Sequence, residues 1–130
     1  MIHVLDASAL LAVSKGEKGA DLVLDLIETG DCVISSVNVA EVASKMLEFG
    51  LPPHELKRAI GQFIVDVIDF NQEQALACAE LRPLTKSAGL SLGDRACLGL
   101  AKLMDGTAVT SDRPWMAIAE AVGVKLLMIR

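Results

Sequence analysis

Residues 90–115, LSLGDRACLGLAKLMDGTAVTSDRPW, constrain what this chain can fold into more than any other stretch. Ser91 is suited to cap a helix whose third residue is Asp94, a pattern related to the capping box. Cys97, Leu100, Ala101 and Met104 recur at i, i+3, i+4 and i+7, the spacing of one buried helix face. Asp94, three residues before Cys97, shares that inward face at the helix's N-terminal end. Asp105-Gly106 stops the helix, and residues 107–110 read as a short strand. Asp112 follows just past the strand's carboxyl end. In an open α/β sheet, strand carboxyl ends and the N-termini of the following helices lie on one edge. Two acids therefore point at the same edge.

The rest of the chain repeats the alternation. Further strands are predicted at 2–5, 32–35, 64–70 and 124–129. Helices are predicted at 8–13, at 19–29 with Leu22, Val23, Leu26 and Ile27 inward, at 38–49 opened by Asn38, and from Pro52-Pro53 through 63. Another runs to about Leu81 behind an Asn71/Gln74 capping pair and bends or ends near Pro83, and the last spans 114–122. Strands alternating with helices imply a mostly parallel sheet with right-handed crossovers. At 130 residues, with no repeat or linker, residues 1–130 read as one domain with a sizeable core.

Composition narrows the function. A hydrophobic fraction of 52% suits a parallel sheet covered on both faces. A net charge of −5 argues against a protein that coats nucleic acid, though not against a nuclease with few phosphate contacts. With no Tyr, one Trp and three Phe, a base-stacking platform is not expected. Cys32, Cys78 and Cys97 have no CxxC pairing and lie in apolar runs, so buried free thiols in a reducing cytoplasm are expected, and not zinc. The N-terminus carries Asp6 and no basic leader, and no segment approaches a membrane span.

Four of the 17 acids stand out by position. Asp6 ends the first strand, Glu41 lies in the first turn of the helix after the second, Asp94 opens its helix, and Asp112 ends the fourth strand. All four map to one sheet edge. Carboxylates that close do not all stay ionised without a cation between them. Oxygen donors without His or Cys favour Mg²⁺ or Mn²⁺ over zinc, and such a site activates water against a phosphodiester. Each acid also has a plainer reading. Glu41, off the stripe of Val39, Val42, Ala43 and Met46, fits a capping box with Asn38. Asp94 fits a helix-dipole acid, and Asp112 a turn residue before Pro114. Asp6 resists such a reading, because an acid ending a buried strand is costly unless paired or metal-bound.

The segments VLDAS, NVAE, SLGDRACLGLA and VTSDRPW resemble the PIN-domain ribonucleases, particularly VapC-like toxins of toxin–antitoxin pairs, over essentially the whole chain. The resemblance implies an α/β/α sandwich around a mostly parallel five-stranded sheet and a Mg²⁺-dependent endoribonuclease, Mn²⁺ being an alternative ion. It places the acidic positions on Asp6, Glu41, Asp94 and Asp112, with Ser8 holding Asp6 or the bound water. Asp6, Asp94 and Asp112 are the expected metal ligands and Glu41 orients the attacking water. An RNA substrate, a cognate antitoxin and a homodimer through the apolar faces carrying Val39, Val42, Ala43 and Met46 and carrying Leu76 and Ala79 are the expected partners. Arg95, Arg113 and Lys45 read equally as phosphate contacts or as ion-pair partners of the acids. His3 reads as structural and Trp115 as core; Thr110 and Ser111 read as hydrogen-bonding near the metal or as shaping the turn. Two other readings are a HAD-like phosphatase, which needs an acid where Ser8 stands, and a non-catalytic module whose acids bind a basic partner.

Overall fold

β1 (His3–Leu5) is the middle of a five-stranded sheet, and its alternation sets the layers. Val4 points into one apolar cluster and Leu5 into the other, as the two-residue strand period requires. The neighbours repeat the pattern: Val33 against Cys32 and Ile34, Ala108 against Val109. The computed structural model describes residues 1–130. Its strands are β1, β2 (Cys32–Ser35), β3 (Asp66–Ile68), β4 (Thr107–Thr110) and β5 (Lys125–Met128). They lie in the order β3-β2-β1-β4-β5, and every pairing is parallel. The chain builds outward from β1 on one side, then returns to build on the other. β1 therefore sits at the topological switch, where open α/β sheets place their crevice.

Helices α1 (Ala7–Lys15), α2 (Ala20–Glu28), α3 (Ser36–Glu48) and α4 (Leu56–Gly61) supply the cluster around Leu5. The opposite cluster is filled mainly from α7 (Leu92–Leu103), with Leu81 between α5 (Gln72–Glu80) and α6 (Arg82–Thr85), and Val122 of α8 (Ala119–Val122). Leu98 and Trp115 are fully buried there, which confirms the tryptophan as core; each such side chain contributes about 1.5–3 kcal/mol. The result is the expected α/β/α sandwich.

Several predicted boundaries move. α3 starts at Ser36, because Ser35 is its cap and accepts from the Val37 N–H at 3.2 Å; Asn38 is already inside the helix. The predicted helix through residue 63 splits into a 3₁₀ turn (Pro53–Glu55) and α4, and the one at 114–122 into a 3₁₀ segment (Arg113–Ala117) and α8. α6 and a 3₁₀ turn (Lys86–Ala88) follow Leu81, because Pro83 stands in the first turn, where its missing N–H costs nothing. β3 is shorter than 64–70 because it is an exposed edge, with Ile64 84% accessible. On α2 only Val23 is fully buried and Leu22 faces solvent. Asn71 does cap α5, accepting from the Gln74 N–H at 2.9 Å, but the Gln74 amide turns to the Asp69 carbonyl instead of reaching back.

Candidate active site

Because all five strands run the same way, the ends of β1, β2 and β4 and the N-terminus of α7 meet on one edge. Asp6, immediately after β1, is 4% exposed. Its Oδ2 accepts from the Ser8 hydroxyl at 2.8 Å and from the Thr110 hydroxyl at 3.0 Å. Ser8 Oγ in turn accepts from the Ser111 N–H and Thr110 Oγ1 from the Asp112 N–H, both at 3.0 Å. Each hydroxyl has one proton, and each gives it to Asp6, so the 3.3 Å approach between the two hydroxyls carries no hydrogen bond of its own. The loop bearing Asp112 is thereby stitched to Asp6. Ser8 and Thr110 leave Oδ1 of Asp6 without a protein donor.

The other acids are each held in place. Asp94 and Ser91 form the expected box, Asp94 N–H to Ser91 Oγ at 3.2 Å and Ser91 N–H to Asp94 Oδ2 at 2.8 Å. Glu41 is not capped against the Asn38 backbone. Its Oε1 accepts from the Asn38 side-chain amide at 2.7 Å, and the same amide nitrogen reaches the Gly93 carbonyl at 3.0 Å. Asn38 thus ties α3 to the start of α7. Sequence reading paired Asn38 with Glu41 as a capping box and missed both the side-chain contact that joins them and the part played by Gly93. The three-residue spacing of Asn38 and Glu41 was visible, but a glycine in the first turn of a helix 55 residues away carries no signal of its partner.

Electrostatics bind the four into one group. Burial pushes the Asp6 carboxyl from 3.8 up to about 7; the Ser8 hydroxyl opposes this, the charges of Asp94 and Glu41 add to it, and Thr110 opposes it. Burial likewise raises Glu41, with Asn38 opposing and Asp94 adding. Asp94 is raised by burial first, with the Asp112 charge adding to it against the Ser91 bonds and Arg95. Arg95 acts on Asp94 only at a distance, and no basic side chain forms an ion pair with any of the four: the ion pairs in the molecule are Lys45–Glu48 at 3.3 Å and Arg130–Glu17 at 3.7 Å. Arg95 donates to the Cys78 carbonyl at 3.2 Å, tying α7 to α5, and Arg113 is exposed. Arg95, Arg113 and Lys45 are therefore not ion-pair partners of the acids. The carboxylates are close enough to feel one another, yet no three of them converge into a ready chelate. Such an open, oxygen-only set fits Mg²⁺, which keeps several waters and takes one or two carboxylates directly.

The PIN domain family model matches residues 3–121. No curated protein matches the chain. Among solved structures, DNA-bound VapBC from Salmonella typhimurium superposes with a TM-score of 0.76 at 19% identity, covering 100% of this chain and 99% of that one. VapBC2 from Rickettsia felis, bound to a promoter DNA fragment, gives 0.75 at 20% identity, covering 98% of each chain. VapBC-1 from nontypeable Haemophilus influenzae gives 0.73 at 18% identity, covering 99% and 98%. At these identities the likeness is one of fold.

Proposed function

The chain belongs to the PIN domain family, and from that premise we propose that residues 1–130 form one nuclease domain, a Mg²⁺-dependent endoribonuclease serving as the toxin of a toxin–antitoxin pair. The observation that carries this reading is the cluster of four partly or fully buried acids, none of them in an ion pair. Burying charge in that way is costly unless a cation compensates it. Asp6, Asp94 and Asp112 would hold the ion. When bound, the ion lowers the pKa of a water and neutralises charge on the phosphodiester. Glu41 orients and deprotonates the attacking water. Ser8 and Thr110 keep Asp6 and the Asp112 loop at fixed separation. Exposed Arg113, beside Asp112, is placed to meet an RNA phosphate.

An open apolar groove of about 640 Å³, lined by Val13, Met46, Phe49, Leu51 and Phe63 among others, offers an antitoxin a surface to dock on. No helix is long and apolar enough to cross a membrane; a cytoplasmic location is proposed on the free buried thiols of Cys32, Cys78 and Cys97. The ribonuclease reading is tested with Asp94→Asn, which keeps the size and capping ability of the residue. Mg²⁺-dependent cleavage of RNA is expected to fall by at least about 10²-fold, with metal-free stability changed by about 1 kcal/mol or less. An Asp94→Asn protein that cuts RNA at the wild-type rate would remove Asp94 from the site.

A further inference from the structure

We propose that Asn38 and Gly93 form a two-sided clamp that fixes the Glu41 carboxylate and leaves one oxygen, Oε2, to act on water. Asn38 is then a positioning residue, and the proposal rests on the role given to Glu41 above. Asn38 is fully buried, and both hydrogens of its amide are committed, to Glu41 Oε1 and to the Gly93 carbonyl. Both partners are acceptors, so the amide nitrogen has to face them; the side-chain oxygen, buried without a partner, faces away. On the other side, a Cβ at Gly93 would overlap the Glu41 carboxyl group, lying 2.7 Å from Oε2. Glu41 therefore lies flat against the backbone of α7, where only glycine leaves room. Its Oε1 is occupied by Asn38 and its Oε2 receives no protein donor. A glutamate otherwise has three free torsions, and ordering it before the reaction removes that entropy from the barrier. Asn38 also reaches across 55 residues of sequence to the turn that carries Asp94, so the base and a proposed metal ligand share one anchor.

The clamp predicts non-additive kinetics. Asn38→Ala should lower kcat by about 10²-fold with KM little changed. In a Glu41→Gln background, it should cause no further loss, because a residue acting through Glu41 has nothing left to position. Gly93→Ala gives an independent variant. Alanine is the better helix former, so the melting midpoint should hold or rise while kcat falls with the displaced carboxylate. A readout free of metal and RNA is the Asn38 side-chain amide signal in ¹⁵N NMR of the metal-free protein. One of its protons should lie downfield and exchange slowly, and lose both properties in Glu41→Ala and in Gly93→Ala. If Asn38→Ala slows the Glu41→Gln enzyme as much as the wild type, or if the amide signal ignores both substitutions, the clamp is wrong. If the wild type cuts no RNA, the ribonuclease reading fails and the amide signal alone decides the clamp.

Discussion

Burial lifts the Asp6 carboxyl to about 7, so between pH 4 and 7 the folded chain binds a proton that the unfolded chain has released. Stability of the metal-free protein should therefore fall as pH rises: the part contributed by this proton is fully present below about 4 and is lost as pH passes 7. Glu41 and Asp94 are raised by burial too and add to the same slope. For Asp6, holding the proton up to about pH 7 corresponds to something on the order of 4 kcal/mol. Thermal melts of metal-free protein should give a higher midpoint at pH 5 than at pH 8. Asn in place of Asp6 can still accept from Ser8 and Thr110, so Asp6→Asn should flatten much of that slope and melt higher at pH 8. An unchanged slope in Asp6→Asn would assign the effect to the other acids. Saturating Mg²⁺ should oppose the trend, since the ion binds deprotonated carboxylates.

Among the elements, α7 sets the spacing of the layer that backs the site. A Cβ at Gly99 would come 3.3 Å from the Cys78 N and 3.6 Å from the Ala77 Cβ, so α5 sits as close to α7 as a glycine permits. Gly99→Val should cost about 1–3 kcal/mol by overpacking, read as a lower urea midpoint. That contact was invisible in sequence, where Gly99 is one more small residue in an apolar helix. The five strands were legible because short apolar runs bounded by turn residues have few other outcomes, and Asp6, Asp94 and Asp112 were legible because each follows a strand or opens a helix; Glu41, expected in the first turn, is instead the sixth residue of α3. The start of α3 was not, since Ser35, Ser36 and Asn38 are all competent caps and only the fold chooses Ser35. Sequence paired Asn38 with Glu41, but through the backbone; that the Asn38 side-chain amide makes the contact was not legible, because the Gly93 carbonyl that fixes it is supplied by a helix on the other side of the sheet. Local chemistry announced the acids and their near supports Ser8 and Ser91; the bonds from Thr110 to Asp6 and from Asn38 to Gly93 span 104 and 55 residues and left no local trace.

For the whole molecule, the parallel sheet leaves two uncovered edges and two helical faces, and the composition of those surfaces decides how copies meet. The α3 stripe expected to drive a dimer is not available, because Val42 and Met46 are buried in their own core. Apolar surface remains instead at Leu76, 58% exposed on α5, and at Leu84 and Leu92 on α6 and α7, which both pack on α5. The exposed edge strand β3, with Val67 and with Ile64 just before it, is the competing surface. A two-fold contact through α5 would bury each leucine twice, and full burial of such a side chain contributes about 1.5–3 kcal/mol. We propose the α5 face as the homodimer interface. Sedimentation at tens of micromolar should show a dimer for the wild type and a monomer for Leu76→Asp. Since Leu76 is largely exposed in the single chain, the substitution should leave monomer stability within about 0.5 kcal/mol. A monomeric wild type would remove the homodimer, and a dimer that survives Leu76→Asp would move the interface to the β3 edge.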